Sequence, residues 1–312
     1  MQTFPARRAQ TPSLAALGYA ACALAGTFWG TGFFFGKLAL REMGPAHMVL
    51  YRFLFASLGL VPVFLLRRPG LDVREWGTLL LAAFVGVPLQ YLIQFSGLDR
   101  TTVSHAALMV GTMPVVLAVG AGIFAHERLD RIGWMALVGS TCGAALIVLG
   151  GTHRAGGNGP SLTGDLMIVA SLGISLAWIL LNQHLVQRHS PLVVTAYGLG
   201  AGTLMLIAWV VPMDGLPPVH LSRTAWLALA ASGLLCTTST TLLWNWGMTR
   251  VPASRAGAFL NLEPLIGSLL GVFLLGDQLG PAAWTGGALI LGAAVTLTLR
   301  PHSHLEDEHL LA

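Results

Sequence analysis

From residue 13 to residue 299 the chain reads as long apolar runs broken by short polar clusters, and the runs fall into ten windows of about 20 residues. The windows are 13–36, 45–66, 76–98, 101–125, 132–152, 166–186, 190–213, 224–248, 256–276 and 281–299. A hydrocarbon core takes about 20 apolar residues per helical crossing, so each window suits one spanning helix. The predicted fold class is all-α and polytopic, with ten transmembrane helices. Composition agrees: of 312 residues 54% are hydrophobic and 10% charged, against roughly one quarter charged in soluble domains. No room is left for a separate soluble domain.

Orientation follows from the flanks, because cytoplasmic loops of bacterial-type inner-membrane proteins keep the positive charge. With the N-terminus inside, the cytoplasmic set is Arg7, Arg8, Arg67, Arg68, Arg74, Arg128, Arg131, Arg188, Arg250, Arg255 and Arg300. The outer set is Lys37, Arg41, Arg100, Arg154 and Arg223. Eleven against five predicts an inner (plasma) membrane protein with both termini cytoplasmic. Arg7-Arg8 superficially matches a twin-arginine signal, but the uncharged stretch of 24 residues that follows is too long for a cleaved export signal and is read as a retained first span. The net charge of +4 is scattered through loops and forms no basic patch, which argues against a nucleic-acid partner. Cys22, Cys142 and Cys236 lie in apolar runs at unrelated spacings, so neither a disulfide frame nor a metal site is expected.

A shift of 150 residues superposes TVSHAALMVGTMPVV, beginning at Thr102, on PASRAGAFLNLEPLI without a gap. Ser104 meets Ser254, Pro114 meets Pro264, Trp134 meets Trp284, and Gly97 meets Gly247. Trp29 answers Trp178, and Pro45 with Tyr51 answers Pro191 with Tyr197. Each copy holds five windows, an odd number, so the second copy starts on the opposite side of the membrane. Such inverted repeats are a common build of secondary transporters, in which two halves rock around a shared midplane site. The expected organisation is a cytoplasmic tail (1–12), a first five-helix repeat (13–152), a Gly-rich linker (153–165), a second five-helix repeat (166–299) and a cytoplasmic tail (300–312).

IFAHERLDRIGWMALVGSTCGAALIVLGG (123–151) and LLGDQLGPAAWTGGALILGAAVTLTL (274–299) resemble the ends of EamA domains of the drug/metabolite transporter superfamily. There each five-helix unit closes with a proline-bearing helix, a short acidic turn and a glycine-rich helix, as HER and GDQ stand here. Phe28-Trp29-Gly30 and Arg52-Phe53 fit the same pattern. The resemblance implies the EamA fold and transport of small solutes such as amino acids, sugars, nucleotide-related compounds or drugs, many moved outward.

Polar residues within the windows form stripes at helical spacing, and an unpartnered polar group facing lipid costs several kcal/mol, so the stripes should face inward. Ser171, Ser175, Trp178 and Asn182 share one face; Gln90 and Gln94 share another, with Tyr91 beside them. Thr237, Thr241 and Asn245 line the eighth window, with Thr240 and Trp244 adjoining, and Thr27 and Thr31 flank Trp29 in the first. Each also suits an interhelical hydrogen bond or an interfacial anchor, Asn245, Trp244 and Trp246 near a span end especially. His105 and His184, also near span ends, are placed to meet headgroup water. Glycines four apart (Gly26/Gly30, Gly32/Gly36, Gly139/Gly143, Gly198/Gly202, Gly267/Gly271) read as packing devices, with Pro114 and Pro264 as shared irregularities of the two copies.

Arg52 and Glu263 stand out, since a charge at membrane depth costs ~3 kcal/mol or more and faces a cavity or a partner. At about 1.5 Å of rise per residue each lies roughly 10 Å in from opposite faces, which disfavours direct contact and leaves Arg52 free to snorkel or to cap a polar group. Two roles fit Glu263: a carboxylate that exchanges protons or binds a cation during transport, or a protonated acid hydrogen-bonded between helices. In the first copy Met113 occupies its position.

His302, His304 and His309 belong to a solvated tail with no geometry to hold a metal. Neither a GxxxxGK[ST] loop nor a catalytic pair such as HExxH occurs in the spans, so no cofactor and no enzyme activity are expected. The expected function is secondary transport of small amphipathic metabolites, amino acids among them, by alternating access, with outward transport and proton coupling compatible. A non-transporting membrane receptor or partner is the rival. The expected partners are a small solute and lipid; a homodimer is open.

Overall fold

The computed structural model describes residues 12–67, 70–113, 115–116, 119–120, 131–150, 160–250 and 257–298, and all regular elements among them are helical. Pro114, the segment 151–159, and most of both tails lie outside the described residues, as does the side chain of His184.

The first predicted window holds two helices, α1 (Pro12–Gly30) and α2 (Gly32–Ala39), separated at Thr31. Flanking glycines weaken the helix by about 1 kcal/mol each, and the Thr31 hydroxyl donates to the Phe28 carbonyl at 2.7 Å. The second window divides into α3 (Pro45–Gly59) and α4 (Val61–Leu66). Pro62 has no N–H for the carbonyl four residues back, so the helix restarts with the proline in its first turn. α5 (Val73–Asp99) instead absorbs Pro88 by widening to a π-turn over Val85–Leu89.

α6 (Val103–Val110), α7 (Arg131–Gly150), α8 (Leu162–Arg188), α9 (Pro191–Asp214) and α10 (Arg223–Met248) follow. α10 carries its own π-turn, Ala231–Ser239, without a proline. Hydroxyls take up the carbonyls there: Thr237 Oγ1 donates to Ser232 at 3.2 Å and Thr241 Oγ1 to Thr237 at 2.8 Å. A 3-10 turn, Gly257–Asn261, leads into α11 (Leu262–Leu275), and α12 (Pro281–Thr298) comes last. Pro264 thus falls in the first turn of α11, where its missing N–H costs nothing. Gly276 ends that helix at φ 73°, a left-handed conformation that suits glycine. α5, α9, α10 and the Leu162–Asn182 part of α8 are each long and apolar enough to cross a membrane.

Packing is reciprocal between the two sequence halves. α3 lies on α9, α6 on α11 and α7 on α12, while α1 lies on the C-terminal part of α10 as α8 lies on that of α5. Contact is backbone-close: a β-carbon added at Gly267 would stand 2.6 Å from the Ala107 β-carbon, and one at Gly143 would stand 2.6 Å from the Gly286 carbonyl.

The connections gather at two ends. At one, Lys37 Nζ donates to the carbonyls of Leu98 (2.7 Å), Asp99 (3.2 Å) and Thr101 (2.8 Å), closing the α5–α6 turn. Ser104 donates from its amide and its hydroxyl to Asp277 Oδ2, both at 2.9 Å. Ser222 does the same for Glu42, and those bonds hold the Glu42 carboxyl below the usual carboxylate range. His105 departs from its expected contact with headgroup water: it is 1% exposed, with Nδ1 3.3 Å from Oδ2 of Asp165, itself fully buried and bonded by the Thr101 hydroxyl. At the other end Glu75 meets Arg188 at 3.4 Å and His189 at 3.2 Å.

Lys37 is a shared donor to three carbonyls, of which that of Leu98 also accepts the Thr101 N–H at 3.4 Å. Lys37→Met should lower unfolding stability by about 1–3 kcal/mol and speed hydrogen exchange across residues 98–102. Unchanged exchange there would remove the lysine from that role.

Candidate functional site

Both π-turns border one cavity of about 620 Å³. α1 and α2 bring Trp29, Gly32 and Phe33 to its wall; α3 brings Arg52; the π-turn of α5 and the helix beyond it bring Gly86, Val87, Gln90, Tyr91, Gln94 and Phe95. The lining is completed by Ser175, Trp178 and Asn182 from α8, Thr195 and Gly198 from α9, and Cys236, Thr237 and Thr241 from the π-turn of α10 and its continuation. Glu263 enters from the first turn of α11 and Met113 from beyond the end of α6.

Positions that correspond between the sequence halves face the cavity together. Trp29 pairs with Trp178 and Phe33 with Asn182 at a spacing of 149; Gly86 pairs with Cys236, Val87 with Thr237, Tyr91 with Thr241 and Met113 with Glu263 at 150; Arg52 pairs with Gly198 at 146. The scaffold is repeated and the charge is not.

Arg52 does not snorkel outward. It is 5% exposed, its Nε donates to Thr237 Oγ1 at 3.2 Å, and its guanidinium carbon lies 5.1 Å and 5.2 Å from the ring centres of Tyr91 and Phe95. Among the described residues no salt bridge joins it to Glu263, as their different depths suggested. Both charges face the same cavity instead. Glu263 sits in the first turn of α11.

Gln90 and Gln94 are buried, and their amides bond to no other described residue. Asn182 Nδ2 makes a long bond of 3.4 Å to the Trp178 carbonyl. Trp244 and Asn245 do not reach the cavity, because the C-terminal part of α10 packs against α1; Trp244 stands behind the wall, 5.4 Å from the Trp29 ring centre. Pro264, Gly267 and Gly271 form the buried face of α11 against α6 and α1. Sequence reasoning missed Phe33 and Phe95, although each follows a named aromatic, Trp29 and Tyr91, by one helical turn. Cys236 was read as a buried thiol only. It faces the cavity and lies 3.1 Å from the Thr31 hydroxyl.

The model of the EamA-like transporter family matches residues 16–149 and again residues 162–299. The chain belongs to that family. An uncharacterized transporter of Archaeoglobus fulgidus is 24% identical over 283 residues, covering 90% of this chain and 96% of that protein. A protein of Streptantibioticus cattleyicolor named a probable terminal-alkyne amino-acid exporter is 26% identical over 283 residues, covering 87% and 90%. A solved crystal structure superposes with a TM-score of 0.60 at 21% identity, covering 97% of this chain and 100% of that one, a likeness of fold. The cavity described above therefore belongs to a membrane protein of a transporter family.

One close approach shapes that cavity. A β-carbon at Gly86 would stand 2.6 Å from Cγ and Nε1 of Trp178, so the indole lies against bare backbone. Gly86→Ala should cost about 1–3 kcal/mol by overpacking. Trp178→Phe should recover most of it in a double-mutant cycle of unfolding free energies, whereas additive costs would mean that the ring moves freely.

Proposed function

We propose that this chain is a secondary transporter that exports small amphipathic metabolites, zwitterions of the amino-acid kind included, by alternating access around the cavity. The observation that carries the reading is that cavity-lining positions come in corresponding pairs from both halves. A site shared equally by two related units is exposed to either side when the units rock against each other. The reciprocal packing and the odd number of spans per copy support two inverted five-helix repeats, residues 13–152 and 166–299, joined by the linker 153–165. The excess of arginine in the N-terminal-side loops supports an inner-membrane location with cytoplasmic termini.

The lining suits such a solute. Amides and hydroxyls between aromatic rings take a body that is part polar and part apolar, and Arg52 and Glu263 offer one charge of each sign. The relative named as an amino-acid exporter adds support for that class. We read Glu263 as the carboxylate that exchanges protons or a solute cation during the cycle, because its side chain faces the cavity and no described residue holds it in a hydrogen bond.

Purified protein in liposomes containing nothing else should move members of a metabolite panel, driven by an imposed proton gradient. Glu263→Gln should cut that driven flux by about tenfold or more, equivalent to about 1.4 kcal/mol, while gradient-independent exchange continues. Unchanged proton-driven flux would sink the role of Glu263, and no flux of any panel member would sink transport.

A further inference from the structure

We infer that Arg52 is the docking point for a carboxylate group of the transported solute. The inference rests on the reading of the cavity as a solute site and adds which end of the solute faces which wall. A guanidinium presents five N–H donors in a fixed fork, and here a single one, on Nε, meets an acceptor among the described residues, Thr237 Oγ1 at 3.2 Å. That bond and the neighbouring rings of Tyr91 and Phe95 hold the group at the cavity wall, where Nη1 and Nη2 have no hydrogen-bond acceptor among the described residues.

Gly32 faces the fork: a β-carbon added there would already be in van der Waals contact with Nη1 at 3.6 Å and Nη2 at 3.9 Å, so a larger residue at that position would crowd the guanidinium. A side chain only 5% exposed that lines the cavity and keeps two donor nitrogens without an acceptor among the described residues is suited to a ligand that supplies the acceptors. It is well explained by a planar two-oxygen ligand, because two parallel N–H···O bonds match the spacing of a carboxylate. Glu263 lines the same cavity without reaching Arg52, so a dianionic solute would meet repulsion. A solute with one carboxylate and one ammonium satisfies both residues, its side chain lying against Trp178 and Trp29.

The test is a thermal-stabilisation screen of the purified full chain with matched pairs: phenylalanine and phenylalaninamide, leucine and leucinamide, threonine and threoninamide. Each pair keeps the skeleton and the ammonium and differs in the carboxylate. At least one acid should stabilise the wild type more than its amide does. Arg52→Gln should weaken binding of that acid by about tenfold or more and leave the amide within about threefold. Arg52→Lys, which keeps the buried positive charge but not the fork, guards against a variant that fails to fold; it should bind the acid with an intermediate loss. Equal stabilisation by acid and amide, stabilisation by none of the acids, or an acid preference that survives in Arg52→Gln would overturn the inference. Flux of the same compounds in liposomes separates it from the transport reading: an amide carried as fast as its acid defeats the docking and spares transport, and an acid that binds through Arg52 but does not cross defeats transport and spares the docking.

Discussion

A polar group inside hydrocarbon must find its partner within the protein, and the places where this chain leaves the regular helix are the places where partners are rearranged. Thr31, Leu60, the π-turns at Val85–Leu89 and Ala231–Ser239, and the 3-10 turn before α11 all interrupt the backbone ladder. Most of them border the cavity, where a freed carbonyl or hydroxyl can be met by something other than lipid. Regular helices, α8 and α9, complete the lining.

Much of the helical frame was legible in the sequence. Apolar windows of about 20 residues report lipid-facing length directly, because the bilayer selects for it. The repeat was legible too, since corresponding prolines and glycines survive where side chains have diverged. The breaks at Thr31 and Leu60 were not read, although Gly30, Gly32 and Pro62 marked them, because hydropathy averages over a window and does not see a single missing N–H. The π-turn of α10 has no glycine or proline to announce it beyond Gly233; it depends on where threonine hydroxyls point in the folded protein.

The site was legible in part for a similar reason. Helical spacing identified Gln90, Gln94, Ser175, Trp178 and Asn182, because a stripe of polar residues can face only inward. It failed for Trp244 and Asn245, where a stripe of the same kind runs into a neighbouring helix, and no single-helix pattern tells a cavity from a partner. Arg52 and Glu263 carried the clearest signal because charge is so costly in this solvent. Their counterparts at Gly198 and Met113 are uncharged, so the two halves share a frame while each supplies one sign of charge.

The buried pair at the loop end has a bearing on how the chain is assembled. Thr101 and His105 precede Asp165 by 64 and 60 residues, and chains are made from the N-terminus. When the first five segments enter the bilayer, the imidazole and the hydroxyl have no carboxylate to meet, and that corner stays wet until α8 arrives. Arrival of α8, the first helix of the second half, is therefore what gives that buried corner of the first half its carboxylate.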